Sequence, residues 1–297
     1  MNIFYIGSSG ALSLLPFKAL LDAGHRITAV GIHRPIVFRQ KVIALENESL
    51  ALAASQHETP VVDLAASVDE VLQQCAGYRI DVILMACYSR RLPMEIATLA
   101  AKGCFNLHPS LLPAFRGPEP IFWQLKNGSE TGVSWHCVTP VFDAGDIVAQ
   151  QAVTLADGLS YNEINRCLAT SGAEQMYRLL DQVERGCLVR SPQPAEQASY
   201  YRYPQPSDFI VDTAKPARQL FNFMRATEQF GQRYYCRTGG QNYWLTRATA
   251  FDAEAHTEEV EKLAGERLRI PCKQGVLIAA YTGRINQRPP QDLPDFL

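Results

Sequence analysis

The chain has 297 residues, of which 47% are hydrophobic and 20% are charged, and its formal net charge is −2 at pH 7. These values exclude a disordered chain, and the length predicts about two domains. The charge balance excludes a uniformly basic nucleic-acid binder, and the lack of a run of about 18 uncharged apolar residues excludes a membrane-spanning helix. The eight cysteines have neither C-x-x-C nor zinc-ligand spacing, so we expect reduced thiols in a cytoplasmic protein.

The N-terminal part of the chain alternates between predicted strands and predicted helices. Apolar runs predict strands at residues 3–6, 27–32, 60–62, 81–86 and 104–108, and helical spacing of apolar residues predicts helices at 11–21, 49–55 and 68–75. The run at 81–86 is the strongest candidate for a fully buried strand. Continuous apolar strands that alternate with helices indicate a parallel sheet that is covered on both faces.

The second half of the chain changes in composition after residue 186. Before that point the sequence predicts a helix at 120–126, strands at 132–139 and 147–153, and a long helix at 160–184. Proline-containing stretches at 191–194 and 200–206 predict an extended connector. Beyond it, a helix at 216–227 and short β-rich segments at 233–236, 243–245, 267–270 and 276–279 predict a small β-domain. We therefore predict an α/β domain over 1–188, a linker over 189–206 and a β-rich domain over 207–297.

An amide and an imidazole lie two residues apart at the end of one predicted strand. Because strand side chains alternate, Asn106 and His108 share a face, and parallel sheets bind ligands at the carboxyl ends of their strands. Such a pair can polarise a carbonyl and move a proton. A carboxylate near His108, such as Asp143, would hold the tautomer of the ring and favour its charged form. Singly, a histidine at a strand end is more often structural and an aspartate before a turn more often a turn former. The hypothesis therefore depends on all three residues.

The segment 105–150 resembles the catalytic region of the 10-formyltetrahydrofolate-dependent formyltransferases. The matching motifs are Asn-Leu-His-Pro-Ser-Leu-Leu-Pro at 106–113, Arg-Gly at 116–117, Thr-Gly-Val at 131–133 and Asp-Ala-Gly-Asp at 143–146. The layout of the whole chain is similar to that of the methionyl-tRNA formyltransferases. This resemblance implies a Rossmann-like α/β catalytic domain with a mostly parallel sheet, followed by a small β-barrel-like domain of the OB type.

The resemblance also implies a co-substrate and three catalytic residues. The co-substrate is 10-formyltetrahydrofolate, and no metal is implied. Asn106 would bind the formyl oxygen and stabilise the oxyanion, while His108 would assist proton transfer and steady the tetrahedral intermediate. Asp143 would tune His108 and help to remove the proton from the attacking amine through water.

A folate pocket beside the loop at 84–93 is a further implication of the resemblance, with backbone groups of the loop holding the pterin ring. The residues assigned to it are Met85, Ala86, Cys87, Tyr88, Ser89, Arg90, Leu92 and, from the turn before Asp143, Phe142. Arg90 and Arg91 depart from the small or apolar residues usual in the family. They either form a solvated face or meet the acidic glutamate tail of the folate, which a basic residue suits.

The substrate amine is expected to contact Ser110, Arg116 and His136. His136 shares a strand face with Ser134. Two interpretations of His136 stay open. It is either a substrate-site residue, as in some small-molecule formyltransferases, or a structural residue of the strand.

Two sequence features bear on the identity of the acceptor. The tRNA enzymes carry a long basic insertion after the second strand, whereas the corresponding stretch at 33–41 is shorter and more apolar. From residue 205 onward the chain has 12 Lys and Arg against 11 Asp and Glu, whereas a domain that grips tRNA phosphates usually has a clear positive excess. A small amine, such as an amino-sugar or amino-acid derivative, is therefore slightly favoured over methionyl-tRNA, which stays open.

Two other functions are alternatives to formyl transfer. The first is a hydrolase that releases formate from the same folate. The second is a non-catalytic folate-binding homologue, which the intact set of Asn106, His108 and Asp143 argues against.

Overall fold

A computed structural model describes residues 1–33, 37–38, 41–42 and 49–284, which divide into two compact units. The first unit consists of Met1–Pro120, Glu130–Thr154 and Asn165–Tyr201, and the second consists of Ile121–Ser129, Leu155–Ile164 and the chain from Arg202 onward. The second unit therefore includes two short segments that precede the end of the first unit in the sequence. The predicted domain boundaries at 188 and 206 stay a prediction.

A seven-stranded sheet forms the centre of the first unit. Its order is β5-β2-β1-β6-β7-β8-β9, and neighbouring strands are parallel from β5 to β7, while β8 is antiparallel to both β7 and β9. The strands are β1 (Asn2–Gly7), β2 (Arg26–Ile32), β5 (Val61–Asp63), β6 (Val82–Ala86), β7 (Cys104–His108), β8 (Gly132–Cys137) and β9 (Ile147–Ala152). A two-stranded hairpin pairs β3 (Val37–Phe38) with β4 (Lys41–Val42). The predicted α/β class with a mostly parallel sheet is confirmed.

The strands and helices of this unit follow from simple sequence signals. All five residues of β6 are buried, as expected for a strand covered on both faces. Ser67 and Glu70 form a reciprocal capping box that starts α3. The helices are α1 (Ala11–Asp22), α2 (Leu50–Gln56), α3 (Val68–Cys75), α4 (Met94–Ala97), α5 (Pro120–Asn127) and α6 (Tyr161–Glu184). The pattern at 94–97 is too short to show helical periodicity, and α4 was not predicted.

Strand β7, which carries the predicted amide and imidazole, is held in position by its antiparallel pairing with β8. Leu107 lies opposite Trp135 in the register, and the fully buried Trp135 donates from Nε1 to the backbone oxygen of Gly172 in α6 at 2.8 Å. Gly172 allows this approach, because a Cβ there would lie 2.6 Å from the side chain of Leu107. Helix α6 is therefore packed closely against the centre of β7 and β8.

The second unit contains a six-stranded sheet of order β10-β11-β12-β15-β14-β13, in which only β10 and β11 are parallel. Its elements are β10 (Ile210–Val211), α7 (Ala217–Thr227), β11 (Tyr234–Thr238), β12 (Gln241–Asp252), β13 (Glu261–Leu263), β14 (Arg267–Pro271) and β15 (Val276–Arg284). Strands β12 and β15 are longer than the segments predicted at 243–245 and 276–279, because their pairing continues through polar residues. A C-terminal β-rich region is confirmed.

Aromatic packing explains why the segment Ile121–Ser129 belongs to the second unit. The ring of Phe122 lies 5.2 Å from Phe209, 5.3 Å from Phe223 and 5.8 Å from Phe230, measured between centroids. Such tilted and edge-to-face contacts stabilise a core beyond the burial of area alone. The first half of the chain thus supplies a central core residue of the C-terminal unit.

Two properties of the described residues concern the whole chain. None of the helices built from them has both the length and the apolar composition that crossing a membrane requires. All eight cysteines are free thiols.

Candidate active site

Strand β7 and the loop between β8 and β9 bring the three predicted catalytic side chains of the first unit together. Asp143 Oδ1 lies 3.6 Å from His108 Nδ1 and 3.5 Å from His136 Nε2. Asn106 lies opposite His136 in the β7–β8 register, and its Nδ2 is 3.1 Å from His136 Nε2. One amide, two imidazoles and one carboxylate therefore converge at the end of β7.

Backbone carbonyl groups determine which ring nitrogens carry hydrogen. His108 Nε2 is 2.8 Å from the oxygen of Phe115, and His136 Nδ1 is 2.9 Å from the oxygen of Cys137. Because a carbonyl oxygen only accepts, each of these nitrogens must donate. In the neutral rings the lone pairs therefore lie on His108 Nδ1 and His136 Nε2, the two nitrogens that face Asp143. Asn106 donates to the second of them.

Burial and the facing charges set the protonation of this cluster. Burial lowers the pKa of His108 below its ordinary 6.5, and the charge of Asp143, which raises that pKa, offsets burial only in part. Burial works to raise the pKa of Asp143, but His108, His136 and the N–H of Gly117 outweigh it and hold the pKa well below its usual range. At neutral pH the site therefore contains an ionised carboxylate beside an imidazole that is ready to accept a proton.

The turn that carries Asp143 has a strained and closely packed backbone. Asp143 has a φ of 52°, a left-handed conformation that costs a non-glycine residue on the order of 1–3 kcal/mol. Gly145 is required, because a Cβ there would lie 1.9 Å from the oxygen of Cys137. The N–H of Gly117 donates to Asp143 Oδ2 at 2.9 Å. These contacts aim the carboxylate at the two rings.

A cleft opens beside the cluster. It is lined by Met85, Tyr88, Arg90, Arg91, Leu92, Asn106, His136, Val138, Thr139, Val141, Phe142 and Asp143. Eight of these were predicted as site residues from the sequence. Arg91, Val138, Thr139 and Val141 were not among the assigned residues.

Three of the predicted folate residues do not line the cleft, namely Ala86 at the end of β6, and Cys87 and Ser89 in the loop that follows it. Cys87 has a φ of 58°, and its backbone oxygen accepts from Ser8 Oγ at 2.7 Å. At the mouth of the cleft, the guanidinium of Arg91 lies 5.1 Å from the ring centroid of Phe142, which is 40% exposed. A cation and an exposed aromatic ring thus border the opening.

Two of the residues predicted to contact the acceptor lie outside the cleft. The hydroxyl of Ser110 is fully buried and donates to the backbone oxygen of Ala114 at 2.8 Å. The guanidinium of Arg116 donates from Nε and Nη2 to Gln193 Oε1 at 3.0 and 2.7 Å. The described residues contain no group of three or more His, Cys, Asp or Glu side chains that could hold a metal ion.

Sequence reasoning missed the groups that support the cluster through the backbone. The oxygen of Phe115 and the N–H of Gly117 belong to the matched motif region, but no residue pattern identifies a backbone group. Gln193 contacts the turn of Asp143 from the segment predicted as a connector. Its position between Pro192 and Pro194, which favours an extended and rigid backbone, is the one local signal.

Comparison with known proteins gives consistent results. Residues 38–180 match a family profile described as formyl transferase. A methionyl-tRNA formyltransferase of Moorella thermoacetica is 29% identical over 289 residues, which cover 96% of this chain and 89% of that protein. A methionyl-tRNA formyltransferase of Acetivibrio thermocellus is 29% identical over 247 residues, which cover 82% of this chain and 74% of that protein.

The fold is also similar to a solved structure. The N-formyltransferase of Helicobacter canadensis, crystallised with folinic acid and dTDP-3-aminofucose, aligns with a TM-score of 0.67 and 14% identity. The alignment covers 95% of this chain and 99% of that one. At this level of identity the likeness concerns the fold.

The substitution Asp143→Asn tests the electrostatics of the cluster. Removing the carboxylate removes the charge that raises the pKa of His108, so the ring of His108 should titrate at a lower pH than in the wild type, itself below 6.5. The measurement is a pH titration of histidine ring signals by NMR. The signal of His256, which is exposed in the second unit, should not differ between the two proteins. An unchanged or raised midpoint for His108 would contradict the assigned contact.

Proposed function

We propose that the chain, whose residues 38–180 match the formyl transferase profile, transfers the formyl group of 10-formyltetrahydrofolate to the amine of a small molecule such as an amino sugar. The observation that carries this proposal is the convergence of Asn106, His108 and Asp143, of which Asn106 and Asp143 line the cleft. An amide donor, a neutral imidazole and an ionised carboxylate are the groups that acyl transfer to an amine requires.

The proposed chemistry assigns one task to each side chain. Asn106 donates to the formyl oxygen, which becomes negative as the amine nitrogen bonds to the formyl carbon. His108 accepts the proton that the amine loses on Nδ1, and the negative charge of Asp143 stabilises the resulting imidazolium. When the tetrahedral centre collapses, the bond from the formyl carbon to N10 of the folate breaks. The electron pair stays on N10, which takes up the proton that His108 Nδ1 received from the amine.

The lining of the cleft fits a folate. Met85, Leu92 and Val138 give it apolar walls, and Tyr88 and Phe142 add aromatic rings against which a flat pterin ring can pack. Arg90 and Arg91 are exposed at the same cleft, and within the described part of the chain neither forms an ion pair. Both are therefore available for the carboxylates of a glutamate tail.

The contacts of His136 fit both of its interpretations, as a structural residue of the strand and as a residue of the substrate site. Its hydrogen bond to the backbone of its own strand is structural, whereas Nε2 reaches Asn106 and Asp143 at the cleft. We propose that His136 orients the amide of Asn106 by accepting one of its N–H groups, which leaves the second N–H for the formyl oxygen. It then assists formyl binding without itself contacting the transferred group.

The preference for a small amine depends on charge and is supported by one structural neighbour. From residue 205 onward the chain has nearly equal numbers of basic and acidic residues, which gives little attraction for the phosphates of a tRNA. The Helicobacter canadensis neighbour was crystallised with an amino-sugar nucleotide, whereas the sequence relatives are tRNA enzymes. Residues 34–36, 39–40 and 43–48, which include most of the stretch compared with the basic insertion, lie outside the described residues.

Alanine substitutions at the two strand residues test the catalytic assignment. Asn106→Ala removes one oxyanion donor and should lower kcat by roughly 10²–10³-fold. His108→Ala removes the proton acceptor and should abolish formyl transfer. Formyl transfer is measured with purified protein, and circular dichroism checks the fold. His256→Ala, at an exposed histidine, is the matched control and should retain wild-type turnover. Near wild-type turnover in either site variant would refute the assignment.

A panel of acceptors tests the proposed substrate class. Purified protein with 10-formyltetrahydrofolate is offered nucleotide-linked amino sugars, amino-acid derivatives and initiator tRNA charged with methionine. We expect a labelled formyl product from a small amine. Product from charged tRNA alone would overturn this preference, and steady formate release without any amine would indicate the hydrolase. Binding of the folate without any turnover would indicate a non-catalytic homologue.

The two arginines at the cleft should discriminate folates by the length of their glutamate tail. The change is the double substitution Arg90→Ala and Arg91→Ala, compared with Arg185→Ala, an exposed arginine directly after α6. For the double variant, KM for a folate with five glutamates should rise roughly three- to tenfold more than KM for a folate with one, because two exposed charge pairs are lost. Equal effects on both folates would show that these arginines do not bind the tail.

A further inference from the structure

The segment 191–201, here called the strap, crosses the loops that carry the catalytic cluster. At one end Ser191 exchanges two backbone hydrogen bonds of 2.9 Å with Ile147, at the start of β9. At the other end Arg116 donates to Ser199 and accepts from Tyr201, both at 2.9 Å. Gly117 must lack a side chain there, because a Cβ would lie 2.1 Å from the oxygen of Tyr201. The strap is thus part of the first unit and is fixed to it on both sides of the cluster.

Between these two anchors, the side-chain amide of Gln193 makes four hydrogen bonds. Its Oε1 accepts from Nε and Nη2 of Arg116 at 3.0 and 2.7 Å. Its Nε2 donates to the backbone oxygens of Asp143 and Gly145 at 2.8 and 2.7 Å. The partners determine the orientation of the amide, because a guanidinium only donates and a carbonyl oxygen only accepts. Both ends of one half-buried side chain are therefore occupied.

These bonds act on the two supports of the Asp143 carboxylate. The first support is the left-handed turn, whose carbonyl groups at 143 and 145 receive the N–H groups of Gln193. The second is the N–H of Gly117, which donates to the carboxylate and follows directly after Arg116. Without Gln193 the turn loses the donors that hold its strained conformation, and the guanidinium of Arg116 loses its acceptor.

We propose that Gln193 is a positioning residue that holds the Asp143 carboxylate against His108 and thereby sets the rate of proton transfer. The role depends on the function proposed above, and Gln193 itself touches neither the reacting carbonyl nor the amine. Small displacements of a catalytic group lower rates strongly, by up to about 10²-fold for a shift of about 1 Å. The contribution of Gln193 should therefore appear in kcat more than in KM.

The test compares three substitutions at this position with one control. Gln193→Ala removes the amide, and Gln193→Met removes it while keeping the length of the side chain. Gln193→Glu keeps the acceptor for Arg116 but has no N–H group for the turn. Each should lower kcat roughly 10- to 100-fold, with KM for the folate changed less than about threefold. Gln197→Ala, on the exposed part of the strap, is the matched control and should match the wild type.

A second readout does not need turnover. The charged groups that face His108 are Asp143, His136 and Arg116. If Gln193 holds the carboxylate in place, the His108 ring of Gln193→Ala and Gln193→Met should titrate at lower pH, in the same direction as in Asp143→Asn. If Gln193→Ala does not fold, Gln193→Met decides both readouts.

Three other outcomes overturn the inference. Folded variants with kcat within threefold of the wild type exclude the role, as does a fully active Gln193→Glu protein. A loss of kcat without a change in the His108 titration shows an effect that does not act through Asp143. A wild-type protein that is inactive with every acceptor rejects the proposed function instead, and the titration then decides the role of Gln193 by itself.

Discussion

The proposed chemistry depends on one carboxylate that faces two imidazoles whose outer nitrogens are already bound to the backbone. The carbonyl groups of Phe115 and Cys137 fix the tautomers of His108 and His136, so that unprotonated nitrogens face Asp143. In the neutral rings the acceptor nitrogen of His108 then faces the acceptor oxygen of Asp143, while His136 Nε2 accepts from Asn106. Two facing acceptors are unfavourable in a buried site until a proton arrives, which supports the proposal that His108 takes the proton of a bound amine.

Asn106 lies next to His136 because β7 and β8 pair in the antiparallel direction. Strand β8 runs antiparallel to β7, whereas the five strands from β5 to β7 are parallel, and this reversal sets His136 directly opposite Asn106. Opposite residues of an antiparallel pair are close enough for their side chains to interact. The proposed donor for the formyl oxygen and the proposed proton acceptor thus share one rigid support, with α6 packed behind it through Trp135 and Gly172.

Much of this could be predicted from local patterns, since the observed limits of β7 and α3 coincide with the predicted residues 104–108 and 68–75. The shared face of Asn106 and His108 follows from strand alternation alone. The contact of His136 with Asn106 requires the register of β8, and the contacts of Gln193 join residues 50 and 77 positions apart. The placement of Phe122 in the second unit is non-local in the same way. Patterns of a few residues contain no information about such pairings.

The roles proposed for the cluster account for formyl transfer but do not select the acceptor. In the proposed mechanism the amide interacts with the formyl group, and one imidazole, supported by the carboxylate, interacts with the amine; these atoms are the same in an amino sugar and in an aminoacyl-tRNA. Selection must therefore come from contacts with the rest of the acceptor, where charge separates the candidates, because a tRNA needs many basic groups and a small amine needs few. The nearly balanced charge beyond residue 205 therefore bears on the choice between a tRNA and a small amine. For this reason, an experiment on the residues of the catalytic cluster does not identify the acceptor. An experiment that compares acceptors likewise does not test the cluster.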